Sequence, residues 1–426
     1  MTGTSFHSRE AEQALHRGIV SEPPTAEAAL QKPLLLIDFT AEGHHALYVR
    51  HLARFAFTNR LSRFCFLVPR ATRDLVTAGL SSEEADFFLS HLRLLEEDPA
   101  WARLQSQTKV ARVSEWLYVE YLNIYESTQY RLLFLYLETS IYQAAFCPLP
   151  RYDTSGLMFR PTFYHRRQGM LLPGLSSRLM FMIKWFAAYM LVRRPGIKRV
   201  FLLDPLAAEY SMASWHSCKM ECVPDPLGPG VSDLRPLGSA DRVTERPITM
   251  LIAGALHPRK GIHATVNALA RSSETTRRSV RLMLIGKPME NCENYALDNV
   301  ERLKNMNVEV DYDFRFVSDL ELDRYIAQSH VVLTPYLGFK SSSGIVIRAA
   351  HFGKPVVSTD DGLLGYLVKK HQLGETLDAG NETSFAACLD RIVATGRVRG
   401  FDPARARAFA DSCDPDDFAA RLFSAA

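Results

Sequence analysis

The sequence predicts an α/β chain of two facing doubly wound domains, and three observations carry that expectation. The chain has 426 residues, too many for one ordinary domain and enough for two with full cores. Short apolar runs alternate with longer amphipathic segments in both halves, the pattern of parallel βαβ units. A stretch rich in breakers separates the halves: Pro224, Pro226, Pro229, Pro236 and Pro247 with Gly228, Gly230 and Gly238.

Composition narrows the class. Apolar residues make up 47% and charged residues 23%, ordinary values for a globular enzyme. Fifty basic against 47 acidic side chains leave a net charge of only +3, so no global field points to nucleic acid. The seven cysteines are scattered and lack CxxC spacing, which suits a reduced, cytoplasmic chain. His216, Cys218 and Cys222 lack the second half of a zinc-binding pattern and are read as ordinary packing.

Taken in order, residues 1–32 hold no apolar core of signal-peptide length and are read as a flexible leader. Residues 33–222 make the first domain, with strands expected at "PLLLIDFT" (33–40), "RFCFLVP" (63–69), "RLLFLYLE" (131–138) and "KRVFLLDP" (198–205). "LMFMIKWFAAYMLV" (179–192) is too short and too charged to span a bilayer. It is expected to cover the sheet as a helix, with a peripheral membrane contact as the alternative. Residues 223–247 are the linker.

The pattern restarts in a second domain, 248–400: strands at "ITMLIAGAL", "VRLMLIGKP", "HVVLTPY" and "KPVVST", with helices at "GIHATVNALARSS" and "LELDRYIAQS". Residues 401–426 read as terminal helices. Open α/β sheets bind ligands at the carboxyl ends of their strands, so the expected site is the cleft between the two domains.

Two loops of the second domain suit an anion. After the first strand, Gly254 allows a sharp exit, and Arg259 and Lys260 precede a helix whose start does not favour cations for its own sake. Their use is to hold an anion that free helix N–H groups also meet. "SSSGIVIRAAHFGKPVV" supplies a second helix start, from about Gly344, with Ser342 or Ser343 as N-cap and Gly353 and Pro355 ending the helix. Asp311 and Asp313 are read as turn or strand-edge residues rather than metal ligands, and no metal is expected. Neither a P-loop nor a strand-linked GxGxxG occurs, and no GxSxG elbow marks a hydrolase.

Together, "AGALHPRKGIHATVNALA", "LMLIGKP", "FRFVSDLELDRYIAQSHVVLTPY" and "SSSGIVIRAAHFGKPVVSTDDGLLGYLVKKHQLG" resemble the C-terminal domain of the retaining, family-4-like GT-B glycosyltransferases over about residues 250 to 400. "DFTAEGHHALYVRHL" looks like that fold's glycine-bearing loop after the first strand. The resemblance implies sugar transfer from a nucleotide-diphosphate sugar to a carbohydrate, lipid-linked or small-molecule acceptor, with retention and without metal or other cofactor. It implies that Lys260 and Arg259 bind the diphosphate, that Gly254, Gly286 and Lys287 line the donor loop, and that Val317 and Ser318 meet the base. Ser342, Ser343, Gly344 and Ile345 would present N–H groups to the phosphates, and Gly43 would let the sugar diphosphate approach.

A histidine after Gly43, His45 or else His44, would contact the transferring sugar or the acceptor, with His165 a further candidate. The place expected is the cytoplasm, with association on the cytoplasmic face of a membrane as the alternative.

The departures are specific. Ala255 stands where such chains often have arginine, His330 where they have aspartate, and Lys340 and Arg348 where they carry two glutamates, the second gripping ribose. Neither Lys nor Arg accepts a hydrogen bond from a ribose hydroxyl. Two other readings therefore stay open: a catalytically silent nucleotide-binding or partner protein, and a nucleotide-sugar epimerase of the same architecture.

Overall fold

A computed structural model describes residues 32–41, 45–107, 111–146, 153–164, 175–228, 245–339 and 341–424. Two parallel sheets organise it. The first runs in the order β3-β2-β1-β4-β5-β6-β7 and the second β10-β9-β8-β11-β12-β13, and every pairing is parallel.

In the first sheet β1 is Leu34–Ile37, β2 Phe64–Val68, β3 Leu92–Leu94, β4 Arg131–Phe134, β5 Thr154–Met158, β6 Ile197–Leu202 and β7 Met220–Cys222. In the second β8 is Ile248–Ala253, β9 Val280–Ile285, β10 Glu309–Asp313, β11 Val331–Thr334, β12 Val356–Thr359 and β13 Gly374–Leu377. Six helices matter for the site: α1 (His45–Thr58), α2 (Ile141–Phe146), α3 (Leu175–Arg193), α4 (Asp319–Gln328), α5 (Gly344–His351) and α6 (Pro415–Ser424).

Strands buried on both faces explain the unbroken apolar runs. Leu34–Ile37 and Val331–Thr334 are buried at every position, because helices cover both sides of a doubly wound sheet. Strands β3, β5, β7, β10 and β13 escape the sequence reading because they are short or polar. "EVDYD" of β10 alternates charged with apolar residues along an edge, where Asp311 pairs with Arg281 and Asp313 with Arg315. Edge charge of this kind blocks pairing with another chain.

Helix α6 packs on the first sheet's side of the molecule. Phe418 and Leu422 join the core of α1 and β2, with the rings of Phe418 and Tyr48 5.4 Å apart. The apolar side of α6 is thus buried against the N-terminal sheet although the preceding 170 residues belong to the other sheet and its surroundings.

Candidate functional site

Each sheet reverses its winding once, between β1 and β4 in the first and between β8 and β11 in the second. Loops leaving the carboxyl ends of adjacent strands diverge at such a point and open a crevice.

In the second sheet, β8 exits through Gly254 and Gly286 follows β9. Both have positive φ, +101° and +126°, and a Cβ on Gly286 would lie 2.2 Å from the Gly254 oxygen. Only glycine lets these two backbones touch. The turn Pro258–Lys260 then folds back, and Gly261 (φ +74°) lies so close to β11's exit that a Cβ would be 2.1 Å from the Pro335 oxygen. This packing brings Lys260 over the ring of Tyr336, 4.3 Å from its centroid, with Nζ donating to the Tyr336 hydroxyl at 2.9 Å and to the Ala253 oxygen at 3.4 Å. Arg259 is exposed and makes no side-chain bond among the described residues. The His257 imidazole caps the turn, its Nδ1 accepting from the Arg259 N–H at 3.2 Å. Burial, followed by the charges of Lys260 and Arg259, lowers its pKa.

Helix α5 starts across the reversal, after β11. The N–H groups of Gly344 and Ile345 have no acceptor among the described residues, and a Cβ on Gly344 would meet nothing within 4 Å. An open, side-chain-free helix start is suited to an anion. The three serines do not cap it as expected. Ser343 holds the N-cap position without a side-chain bond, and the Ser342 hydroxyl donates to Asp225 Oδ2 at 2.6 Å. Asp225 also accepts from the Tyr48 hydroxyl at 2.6 Å, so this carboxylate ties α1 of the first sheet to the start of α5.

The other residues expected to meet the donor are Lys287, Val317, Ser318 and Ile345. Lys287 accepts the Leu256 N–H on its carbonyl, leaving its side chain exposed. Val317 packs against the core on the α5 side of the sheet. Ser318 caps α4 in a reciprocal box with Glu321, so its hydroxyl is already engaged. Ile345 is buried, and contributes only backbone to the helix start.

Arg348 does not face the crevice. It is 5% exposed, and its guanidinium donates to the fully buried Asp323 and, at 2.6 Å, to Asp319, both on α4. It also lies directly against Gly228, where any Cβ would overlap its Nη2. The arginine that replaces a carboxylate in the motif is therefore a buried brace between α4, α5 and the segment at Gly228. His330 serves the sheet, its Nδ1 accepting from the Thr249 N–H at 2.9 Å.

At the reversal of the first sheet stands His45, the first residue of α1. Its Nδ1 lies 2.7 Å from Oδ2 of the buried Asp38, whose Oδ1 accepts the Thr40 N–H at 3.1 Å. Tyr136 meets the imidazole edge-on at 4.7 Å, and Phe159 stacks on it at 5.5 Å. With Nδ1–H donating to Asp38, Nε2 is left as an acceptor, and it has no partner among the described residues. Asp38, Tyr136 and Phe159 were not singled out from the sequence; the signal available was an aspartate closing the first strand seven residues before a histidine. Glu138, after β4, is a further group of this edge: burial pushes its carboxyl up to about 7, and its Oε1 accepts the Arg160 N–H at 2.5 Å. Gly43, His44, His165 and Lys340 lie outside the described residues.

Two open hollows, of about 440 Å³ beside Arg73, Arg93 and Asp98 and about 520 Å³ beside Arg281, Asp311 and Tyr325, include neither Lys260 nor the start of α5. Among the described residues no three His, Cys, Asp or Glu side chains gather as metal ligands.

Comparison with known proteins agrees with this geometry. Residues 247–395, which contain the whole second sheet, match the family described as Glycosyl transferases group 1. No curated protein matches the chain in sequence. Among solved structures, HepE of Anabaena in complex with UDP is similar at a TM-score of 0.62 and 14% identity, over 92% of this chain and 98% of that one. Sucrose-phosphate synthase from Thermosynechococcus elongatus is similar at 0.57 and 15%, over 93% and 95%. WaaG, a glycosyltransferase involved in lipopolysaccharide biosynthesis, is similar at 0.55 and 14%, over 89% and 94%. Residues 247–395 thus match the group 1 family, and the chain as a whole shares with these solved structures a fold of two Rossmann-like sheets.

Proposed function

We propose that this protein transfers a glycosyl group from a nucleotide-diphosphate sugar to an acceptor held by the first domain, with retention and without a metal ion. The observation that carries the reading is that Lys260, held on Tyr336 just after β11, and the open start of α5 both follow strands at the β8/β11 reversal. Lys260, Arg259 and the Gly344 and Ile345 N–H groups would hold the diphosphate, and Gly254 and Gly286 keep backbone bulk out of its way. Fixed cations and N–H dipoles stabilise the charge that develops on the leaving phosphate, commonly the largest catalytic contribution.

In the step, the bond from the sugar's C1 to the phosphate oxygen breaks with its electron pair leaving on phosphate. The acceptor oxygen bonds C1 from the same face, and its proton passes to that phosphate oxygen. His45, held by Asp38, would accept a hydrogen bond from a sugar or acceptor hydroxyl through Nε2. A hydroxyl-binding role for His45 does not require it to take the proton.

HepE's complex with UDP makes UDP-sugars the first donors to try. The test is a panel of nucleotide sugars incubated with the protein, with and without EDTA, followed by nucleotide release and by NMR of the product's anomeric configuration. Release that an acceptor accelerates, insensitive to EDTA and giving the donor's own configuration, is expected. An inverted product overturns retention, EDTA sensitivity overturns metal independence, and an epimerised donor with no transfer overturns the reaction class. Absence of any nucleotide-sugar binding supports the catalytically silent reading.

A further inference from the structure

Helix α3 has two apolar faces. Ala188, Leu191 and Val192 are buried against the first sheet's core. On the opposite side, Leu179, Met182, Ile183 and Phe186 follow the i, i+3, i+4, i+7 spacing of a single stripe, yet they are 60%, 54%, 39% and 48% exposed. Phe146, the last residue of α2, extends the stripe: it is 45% exposed and its ring stacks on Phe186 at 5.8 Å. Single exposed apolar residues need no explanation, but a contiguous stripe of five large ones does.

Charge says what covers it. From Leu175 to Arg194 the chain has no acidic residue, while Arg178 and Lys184, both exposed, flank the stripe. A protein partner with a core-like surface would need no such one-signed border. Aliphatic and aromatic side chains bordered by cations match the boundary between lipid tails and anionic headgroups. Position adds the function. A helix joining parallel strands β5 and β6 must begin at the carboxyl edge of the sheet and run back to the amino edge, so its exposed first half lies at the same edge as His45. No described helix is long and apolar enough to cross a membrane, so contact of this kind is with the surface.

We propose that the exposed stripe of α3, with Phe146, docks this protein on an anionic bilayer surface, and that the acceptor is carried by a lipid in that surface. The acceptor half of the proposal rests on the transferase reading above; the docking half does not.

The test is flotation of the full chain with vesicles of phosphatidylcholine alone or with about 30 mol% phosphatidylglycerol, with no nucleotide sugar present. The wild-type protein is expected to float with the anionic vesicles and to bind the neutral ones at least about tenfold more weakly. Leu179→Ser/Ile183→Ser/Phe186→Ser should lose about tenfold or more of the anionic binding with an unchanged melting temperature, since these side chains already sit in solvent. Arg178→Gln/Lys184→Gln should lower binding and flatten its salt dependence without touching the apolar stripe. Equal flotation of the wild type and the triple variant overturns the docking face. So does a wild-type dimer that the triple variant converts to monomer while neither binds vesicles, which would assign the stripe to a second copy of the chain. Failure of transfer with every donor, vesicle binding intact, would count against the transferase reading alone.

Discussion

Arg348→Ala tests the role that the structure gives to the residue least expected from the motif. Asp323 has no exposed side-chain surface, and its charged partner is the Arg348 guanidinium; its other oxygen, Oδ2, is buried without a hydrogen bond. Removing one member of a buried ion pair strands the other, which costs about 3–5 kcal/mol in general. Asp319 is 42% exposed and recovers hydration when freed, so it adds little to that figure. A loss of about 3–5 kcal/mol at pH 7 is therefore expected, read as a shift of the urea midpoint at unchanged slope.

The pH dependence supplies an independent check on that mechanism. Burial already raises the Asp323 pKa, with Arg348 opposing the rise; without the arginine the pKa goes further up. A carboxyl whose folded pKa lies above its unfolded value penalises folding once it ionises, and the penalty disappears as pH falls below the unfolded pKa. The Arg348→Ala loss should accordingly shrink between about pH 7 and pH 4. Arg348→Ala at wild-type stability, or a loss that is the same at both pH values, would refute the brace.

The other predictions address the crevice and its edges. Lys260→Ala should lower kcat/KM for transfer by roughly 10²- to 10³-fold while the melting temperature holds, as measured by nucleotide release and scanning calorimetry. Gly286→Ala would place a Cβ 2.2 Å from the Gly254 oxygen at a φ of +126°, so it should cost about 2 kcal/mol or more in urea unfolding and weaken donor binding in calorimetry. Glu138, raised to about 7 by burial, stabilises the fold while protonated; its contribution is lost as pH rises from its unfolded value through about 7. Glu138→Gln should therefore match the wild type near pH 4 and exceed it by roughly 1–3 kcal/mol above pH 8 in urea titrations. Asp38→Asn should leave the fold intact in calorimetry and lower kcat/KM in the nucleotide-release assay, because the amide no longer fixes the orientation of the His45 ring.

What the primary structure determined is local or periodic. Apolar runs set β1, β2, β4 and β6 and four strands of the second sheet, because a strand buried on both faces must be apolar throughout. Gly254, Gly261, Gly286 and Gly353 punctuated the loops through their positive φ, and Lys260 stood out because a cation before a helix does nothing for the helix. The strands that stayed hidden, such as "EVDYD" and "GETL", lie at sheet edges, where half-exposed and charged residues erase the signal.

Partners remote in sequence were decided by tertiary structure alone. Ser342 reads equally well as a cap or an anion ligand until Asp225 is found 2.6 Å away, itself bound to Tyr48. Arg348 reads as a misplaced ligand until Asp323 and Asp319 are found beside it, and His45 as one of two loop histidines until Asp38 orients it. The apolar letters of α3 do not say which of its faces the sheet covers. The physical reason is common to all four: spacing along a chain dictates which face of an element a side chain occupies, but the charge, hydroxyl or lipid opposite that face comes from elsewhere in the fold or from outside it.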